Sequence, residues 1–341
     1  MYLLTYLRPL LNPQEIKTSI RLFFTGFAMG SADIVPGVSG GTVAFILGIY
    51  EELIQSIKTM SGEFLRLLLQ RKLRKAIQII PFKFLIPLSL GLFTALLTLA
   101  KTISFLLATY PEFLWSFFFG LVLASIFLMR KQVVTWNLHD VIALVVAAVF
   151  TYVIVGAVPV ETPATPIAMF LSGAIAICAM ILPGVSGSFL LVLMGKYEQI
   201  LTAVVQRDLF TIGVFGLGAI VGLALFSRVL SWLFHRHHDI VIAVLTGFLL
   251  GSLRKIWPWK EVITSRINSK GVEVPIVEMN VLPQQIDQFV VISLVLFVIG
   301  VGIILLLDRY KVIKEQVEDI EDPKFEKAHK KALKLQEKGK I

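Results

Sequence analysis

Two short stretches of this sequence carry residue types suited to binding an oxyanion: Pro36-Gly37-Val38-Ser39-Gly40-Gly41-Thr42 and Pro183-Gly184-Val185-Ser186-Gly187-Ser188. In each, a Pro-Gly pair precedes glycines and small hydroxyl residues inside an otherwise apolar segment. Pro lacks a backbone donor and Gly is conformationally free, so a helix should break there and a second half-helix begin just after. That second half presents unpaired N–H groups and the positive end of its dipole, which suits a phosphate. Ser39, Gly40, Gly41 and Thr42, with Ser186, Gly187 and Ser188, are therefore expected to line a phosphate site, and Pro36, Gly37, Pro183 and Gly184 to form the breaks. Small residues also favour tight helix packing, but packing alone has no use for the prolines.

Lys101 and Arg228 lie deep inside apolar runs, where a cation is costly unless it is paired or faces a cavity. They are expected to neutralise a bound anion from either side, Arg228 as a bidentate fork and Lys101 as a point charge. Pairing with an internal carboxylate, or snorkelling, is the plainer use of such residues. Asp33 stands three residues before Pro36 and is a candidate protonation site or counter-charge. Glu51 and Glu198 close two Gly-x-Tyr-Glu patterns, as charge-pairing candidates or ordinary interfacial residues. His235, His237, His238 and Asp239 share a short turn without metal-ligand spacing, and the single cysteine, Cys178, has no partner within the chain. No catalytic residue, metal or cofactor is expected.

The elements that must position these residues repeat. Pro183-Gly184-Val185-Ser186-Gly187 matches Pro36-Gly37-Val38-Ser39-Gly40 at an offset of 147, and Gly26, Gly48, Tyr50 and Glu51 match Gly173, Gly195, Tyr197 and Glu198 at the same offset. Met180 is then the counterpart of Asp33. Further on the offset becomes 127: Gly91 on Gly218, Lys101 on Arg228, Ser104 on Ser231, Gly120 on Gly247 and Ser125 on Ser252. Apolar runs near 83–110, 113–130, 139–160, 210–234, 240–256 and 288–307 each approach the roughly 20 residues a membrane helix needs.

Of 341 residues, 56% are hydrophobic and only 16% charged, which excludes an ordinary soluble domain. The net charge of +9 does not point to nucleic acid. Ten of the 32 Lys and Arg follow residue 308 and seven fall between 55 and 83, beside apolar runs, where basic residues orient a membrane protein and meet anionic lipid. The N-terminus lacks the short apolar core and cleavage site of a signal peptide.

Each unit reads as a broken element followed by three spans. Whether the broken element crosses twice or not at all, the unit crosses an odd number of times, so the two units must be inverted relative to each other. Counting back from a cytoplasmic tail keeps both termini and the basic stretches 55–83 and 131–138 inside. One connection disagrees, since residues 254–287 come out external with five Lys and Arg against four Asp and Glu. The expected fold is thus an all-α polytopic membrane protein. A single transmembrane domain, 1–307, holds two inverted-topology repeats at about 18–160 and 165–307, each a Pro-Gly-broken re-entrant hairpin followed by three transmembrane helices. A basic cytoplasmic tail, 308–341, follows.

Residues 30–42, Gly48-Ile49-Tyr50-Glu51 and the second motif, Leu182 to Ser188, together resemble the bacterial polyprenyl-phosphate transporter family. The resemblance covers roughly residues 20–307. It implies a multi-pass plasma-membrane protein that moves undecaprenyl phosphate, the lipid carrier of cell-wall precursors, from the outer to the inner leaflet for reuse. The motif is also similar to that of undecaprenyl-pyrophosphate phosphatases, but Gly40 and Gly187 stand where those enzymes carry Arg. A transporter of a small soluble anion would use the same half-helix site. Oligomeric state, coupling ion and tail-length preference are not legible in the sequence.

Overall fold

The computed structural model describes residues 13–35, 38–133, 135–160, 162–267 and 273–321. Pro36 and Gly37, expected as the first break, lie outside the described residues, as does the tail from 322.

The first half comprises α1 (Pro13–Asp33), α2 (Gly40–Ile46), α3 (Tyr50–Thr59), a π-helical turn (Met60–Phe64), α4 (Leu65–Leu69), α5 (Leu73–Gln78), α6 (Phe82–Thr109), α7 (Pro111–Met129) and α8 (Leu138–Ile154). The second comprises α9 (Pro166–Ile181), α10 (Gly187–Leu193), α11 (Tyr197–Gln206), α12 (Leu209–Arg236), α13 (His238–Ser252), strands β1 (Lys260–Ile267) and β2 (Glu273–Asn280), and α14 (Gln288–Glu321). Four helices, Phe82–Thr109, Pro111–Gln132, Leu209–Arg236 and Gln288–Arg309, are long and apolar enough to cross a bilayer. The bent pair α10–α11, turned by 103° at its break, brings the number to as many as five. The chain is therefore a mostly helical, multi-pass membrane protein.

One element corrects the all-α expectation. The connection after α13 pairs β1 with β2 as an antiparallel hairpin, interrupted by register shifts around Thr264. Its strands carry β-branched residues that favour extended backbone, Val262, Ile263 and Thr264 in β1 and Ile276 and Val277 in β2, and part of the charge that disturbed the topology count, Lys260, Glu261, Arg266, Glu273 and Glu278, sits on them. Helix α14 runs on without interruption past 308, where the tail was expected to begin.

The helices pair through glycines. A Cβ on Gly26 would strike the Leu88 carbonyl, and one on Gly91 the Phe23 carbonyl; in the second half Gly173 meets Phe215 and Gly218 meets Phe170 in the same way. These are the same contacts shifted by the two offsets. With no Cβ, backbones approach closely enough for dispersion to hold helices together in lipid, where apolar burial supplies little. Gly120 likewise meets Phe297 and Gly300 meets Phe117, joining α7 to α14, while Gly247 meets Leu144 and Gly251 meets Ala148, joining α8 to α13.

Contact order along each pair fixes direction. Glu15 binds Lys83 at 2.6 Å near the start of α1 and α6, and Gly30 meets Leu92 further on, so these helices run parallel. Phe113 stacks on Phe289 at one end of α7 and α14, while Lys131 binds Asp308 at 3.1 Å at the other, so that pair is parallel too. The tight links α6–α7 and α12–α13 are also alike: Tyr110 has φ −139 and ψ 57, its counterpart His237 φ −142 and ψ 53.

Candidate functional site

The half-helix that follows each repeated motif is capped by its own serine. Ser39 caps α2, its hydroxyl accepting from the Thr42 N–H at 3.2 Å, and Ser186 caps α10, accepting from the Phe189 N–H at 3.5 Å. The cap satisfies one of the donors a helix start leaves open. The glycines at 48 and 195, with φ of +72 and +67, end the two half-helices in a conformation that costs a side chain energy.

The two turns meet. Gly184 donates its N–H to the Thr42 hydroxyl at 2.8 Å, and Ser39 donates to the Leu182 carbonyl at 3.4 Å. Ser39, Thr42, Pro183 and Ser186 are buried at this junction. The glycines here face protein: a Cβ on Gly41 would strike the Ile181 carbonyl and one on Gly187 the Ala176 carbonyl. Their small size is used against backbone. Ser188, hydrogen-bonded to Ser186 at 2.8 Å, is the exposed hydroxyl of the second motif.

The turns differ in charge. Asp33 accepts from the Gly40 N–H at 2.6 Å, so an internal carboxylate stands at the start of α2. Met180 offers no such group at the start of α10.

The expected cations stand apart from this junction. Arg228 is exposed on α12 and donates to the Ser61 carbonyl at 3.4 Å; Lys101 is exposed on α6. The cation brought to the second motif is one the sequence reading missed. Lys255 lies 5.3 Å from the Phe189 ring centre and shares Glu278 with Lys260, at 2.9 and 3.3 Å. Burial lowers the Lys260 ammonium to about 8, with Lys255 adding to the effect. Burial works to raise Glu278, but the two lysines hold it below its ordinary value. Lys260 also sits 4.9 Å from the centre of the Trp115 ring. The hairpin thus clamps a charged group beside α10.

Lys196, between Gly195 and Tyr197, was also missed. It is only 1% exposed and donates to the Thr162 and Pro163 carbonyls and to Gln199, at 3.2, 2.8 and 3.0 Å, which uses all three ammonium protons. Glu51 meets His238 at 3.3 Å, and His235 bonds the Ser231 carbonyl. Glu198 sits in the first turn of α11.

The halves differ most in how α3 and α11 pack. Helix α3 crosses to the other unit and lies along α12: Lys58 donates to Ser231 at 3.1 Å, Ser231 to Gln55 at 3.1 Å, and Ser61 and Ser227 share a hydrogen bond at 3.4 Å. Its counterpart α11 packs on its own neighbour, α12. Tyr50 is 2% exposed and Tyr197 44%. Ser231 is buried and its counterpart Ser104 exposed.

A multi-pass helical bundle in which the start of α2 meets the turn before α10 in the interior is an architecture that membrane transporters use. Residues 29–274 match the family described as VCA0040-like, undecaprenyl phosphate translocase-like. A protein of Vibrio cholerae serotype O1 named polyprenyl-phosphate transporter is 44% identical over 294 residues, covering 84% of this chain and 96% of that protein. One of the same name from Staphylococcus aureus is 29% identical over 251 residues, 68% of this chain and 84% of the relative. No solved structure matches. The chain belongs to the undecaprenyl phosphate translocase-like family. That is a family of transporters and not of enzymes, which removes the phosphatase alternative.

Proposed function

We propose that this protein carries a polyprenyl phosphate, undecaprenyl phosphate in bacterial envelope synthesis, from the outer to the inner leaflet of the plasma membrane. Moving a phosphate through bare hydrocarbon is prohibitive because the charge loses its hydration. Fixed dipoles and side chains between two inverted units replace that water, while the isoprenoid tail stays in lipid.

The observation that carries this reading is the hydrogen bond from Gly184 to Thr42, which joins the two breaks at one interior junction. Parallel pairing of α1 with α6, and of α9 with α12, supports re-entrant hairpins, since each broken element returns the chain to the side it left. Parallel pairing of α7 with α14 supports inversion: α7 is the second span of its unit and α14 the third of its own. Both termini and the 55–83 stretch then face the cytoplasm.

The phosphate head meets the exposed Ser188 first, and Ser39, Gly40, Gly41, Thr42, Ser186 and Gly187, which here face protein, reach it as the two turns separate. The second turn, which has no internal carboxylate, takes the charge first. Arg228 and Lys101 receive the head at opposite mouths. Closure of α3 on α12, with α11 away from α6, corresponds to a state shut toward the cytoplasm and open outward. Rocking the units exchanges these roles. Asp33 couples the cycle to protons by releasing or holding the Gly40 N–H, and Glu51 and Glu198 pair charges at the outer ends of α3 and α11.

The test is reconstitution in liposomes containing undecaprenyl phosphate. Leaflet exchange, lost on substituting Pro183→Ala in a protein that still inserts, is the expected result; wild-type liposomes with no exchange would refute lipid transport.

A further inference from the structure

Between the π-helical turn and α12 lies an open cavity of about 390 Å³ lined by Ser61, Gly62, Leu65, Arg66, Leu69, Gln70 and Arg228. No Asp or Glu lines it. The hydrogen bond from Arg228 to the Ser61 carbonyl, at 3.4 Å, is long, and among the described residues neither arginine has a carboxylate partner. A Cβ on Gly62 would stand 3.4 Å from the Arg228 guanidinium, so the glycine leaves that face clear. Two of the walls are leucines open to the surroundings, Leu65 at 47% and Leu69 at 78% exposure.

We propose that Arg66 and Arg228 form a binding site for the phosphate monoester head of a membrane lipid. This rests on the lipid-transport reading and makes the cavity its cytoplasmic station, where the carrier's head leaves the protein.

Two guanidinium forks match the charge and oxygen geometry of a phosphate monoester, which carries close to two negative charges and can engage both bidentately. A phosphodiester brings one negative charge and would leave one arginine unneutralised. Leu65 and Leu69 give a hydrocarbon chain its contact, which free phosphate cannot use. The amphipathic segment continues with Arg71, Lys72, Arg74 and Lys75 beside exposed Leu73 and Ile77, the pattern of an element lying in a membrane interface.

The site is one-sided by construction. The repeat offset falls from 147 to 127 because about 20 residues between α3 and α6 have no counterpart in the second half. These residues supply Arg66 and both leucines. A π-helical turn at Met60–Phe64 opens the segment, and such turns recur at functional positions.

The experiment uses the full chain in phosphatidylcholine nanodiscs and geranylgeranyl phosphate with a photoreactive tail, with labelled peptides mapped by mass spectrometry. Labelling is expected within residues 61–70. Arg66→Gln and Arg228→Gln should each weaken binding about tenfold, the scale of losing a charge-assisted hydrogen bond, with the thermal midpoint unchanged. Gly62→Leu, which fills the cavity and keeps both charges, should also abolish labelling. Hundredfold excesses of phosphatidylglycerol and of inorganic phosphate should leave labelling intact. Displacement by phosphatidylglycerol would make this a general anionic-lipid patch, and displacement by inorganic phosphate a soluble-anion site; either overturns the proposal. Binding indifferent to all three variants overturns it as well. Because nanodisc binding needs no transport, Arg-dependent binding without leaflet exchange would sink the transport reading alone, and exchange with Arg-independent binding would sink only the site.

Discussion

The hydroxyl of Thr42 accepts a hydrogen bond from the backbone N–H of Gly184 at 2.8 Å, joining two turns 142 residues apart. Both groups are buried, and the counterpart of Thr42 is Phe189, so no mirrored bond exists to share the task. Thr42→Val keeps the shape, removes the acceptor and strands the N–H. The expected cost is about 1–3 kcal/mol, read as a lowered thermal midpoint in detergent together with reduced leaflet exchange. Unchanged stability would mean that the turns are held together by packing alone.

Asp33 occupies the start of α2 as an anion would. Asp33→Asn retains an acceptor for Gly40 but cannot ionise. If Asp33 couples transport to protons, the variant should exchange lipid at a rate insensitive to an imposed pH gradient, whereas the wild type responds. A wild type equally insensitive would remove the coupling role and leave an uncoupled carrier.

The proposed exchange of roles between the halves has a residue-level consequence. Arg228 contacts Ser61, and by the two offsets their counterparts are Lys101 and Asp208. In the opposite state Lys101 should therefore approach Asp208, which here caps α12, its carboxylate held below the ordinary range by the Thr211 side chain and backbone. Cysteines at 101 and 208 should cross-link with a short reagent only when substrate is present on the cytoplasmic side, and cysteines at 61 and 228 only in the state described. Simultaneous cross-linking of both pairs in one molecule would contradict rocking.

Lys260 carries a pH signature. Its ammonium titrates near 8 in the folded protein against 10.5 when exposed. Below pH 8 both states are protonated and the cost of burying the charge is present in full. From pH 8 toward 10.5 the unfolded chain binds the extra proton, so stability rises with pH across that window. The thermal midpoint of the wild type, compared with Lys260→Met, should rise between pH 8 and 10; a falling difference would show that Glu278 pairing outweighs burial.

The repeat was legible because the fold writes it in glycines. Gly26, Gly91, Gly173 and Gly218 are each struck by a partner backbone, and no other residue type keeps that separation, so the pattern survives in sequence. The break between α9 and α10 was legible because Pro183 and Gly184 act locally. Partners across the chain were not. Arg228 read as an interior cation because span depth says nothing of which face a side chain takes, and it meets Ser61 through α3, whose crossing to the other unit leaves no local trace. The β-hairpin was hidden by its charges, which registered as a topology conflict, and Lys260–Ile267 does not alternate apolar with polar residues in the way that marks a strand. Lys255, which lies over the Phe189 ring of α10, and Lys260, which shares Glu278 with it, were lost with it.

The pairing of α7 with α14 and of α8 with α13 also governs how the molecule is made. Each half supplies α1–α6 or α9–α12 contacts from its own sequence, but α7 and α8 find their glycine-matched partners only in α13 and α14. A ribosome that has released α8 into the bilayer leaves two helices waiting until nearly the last span emerges. The first half on its own keeps the glycine faces of α7 and α8 without the helices that fit them.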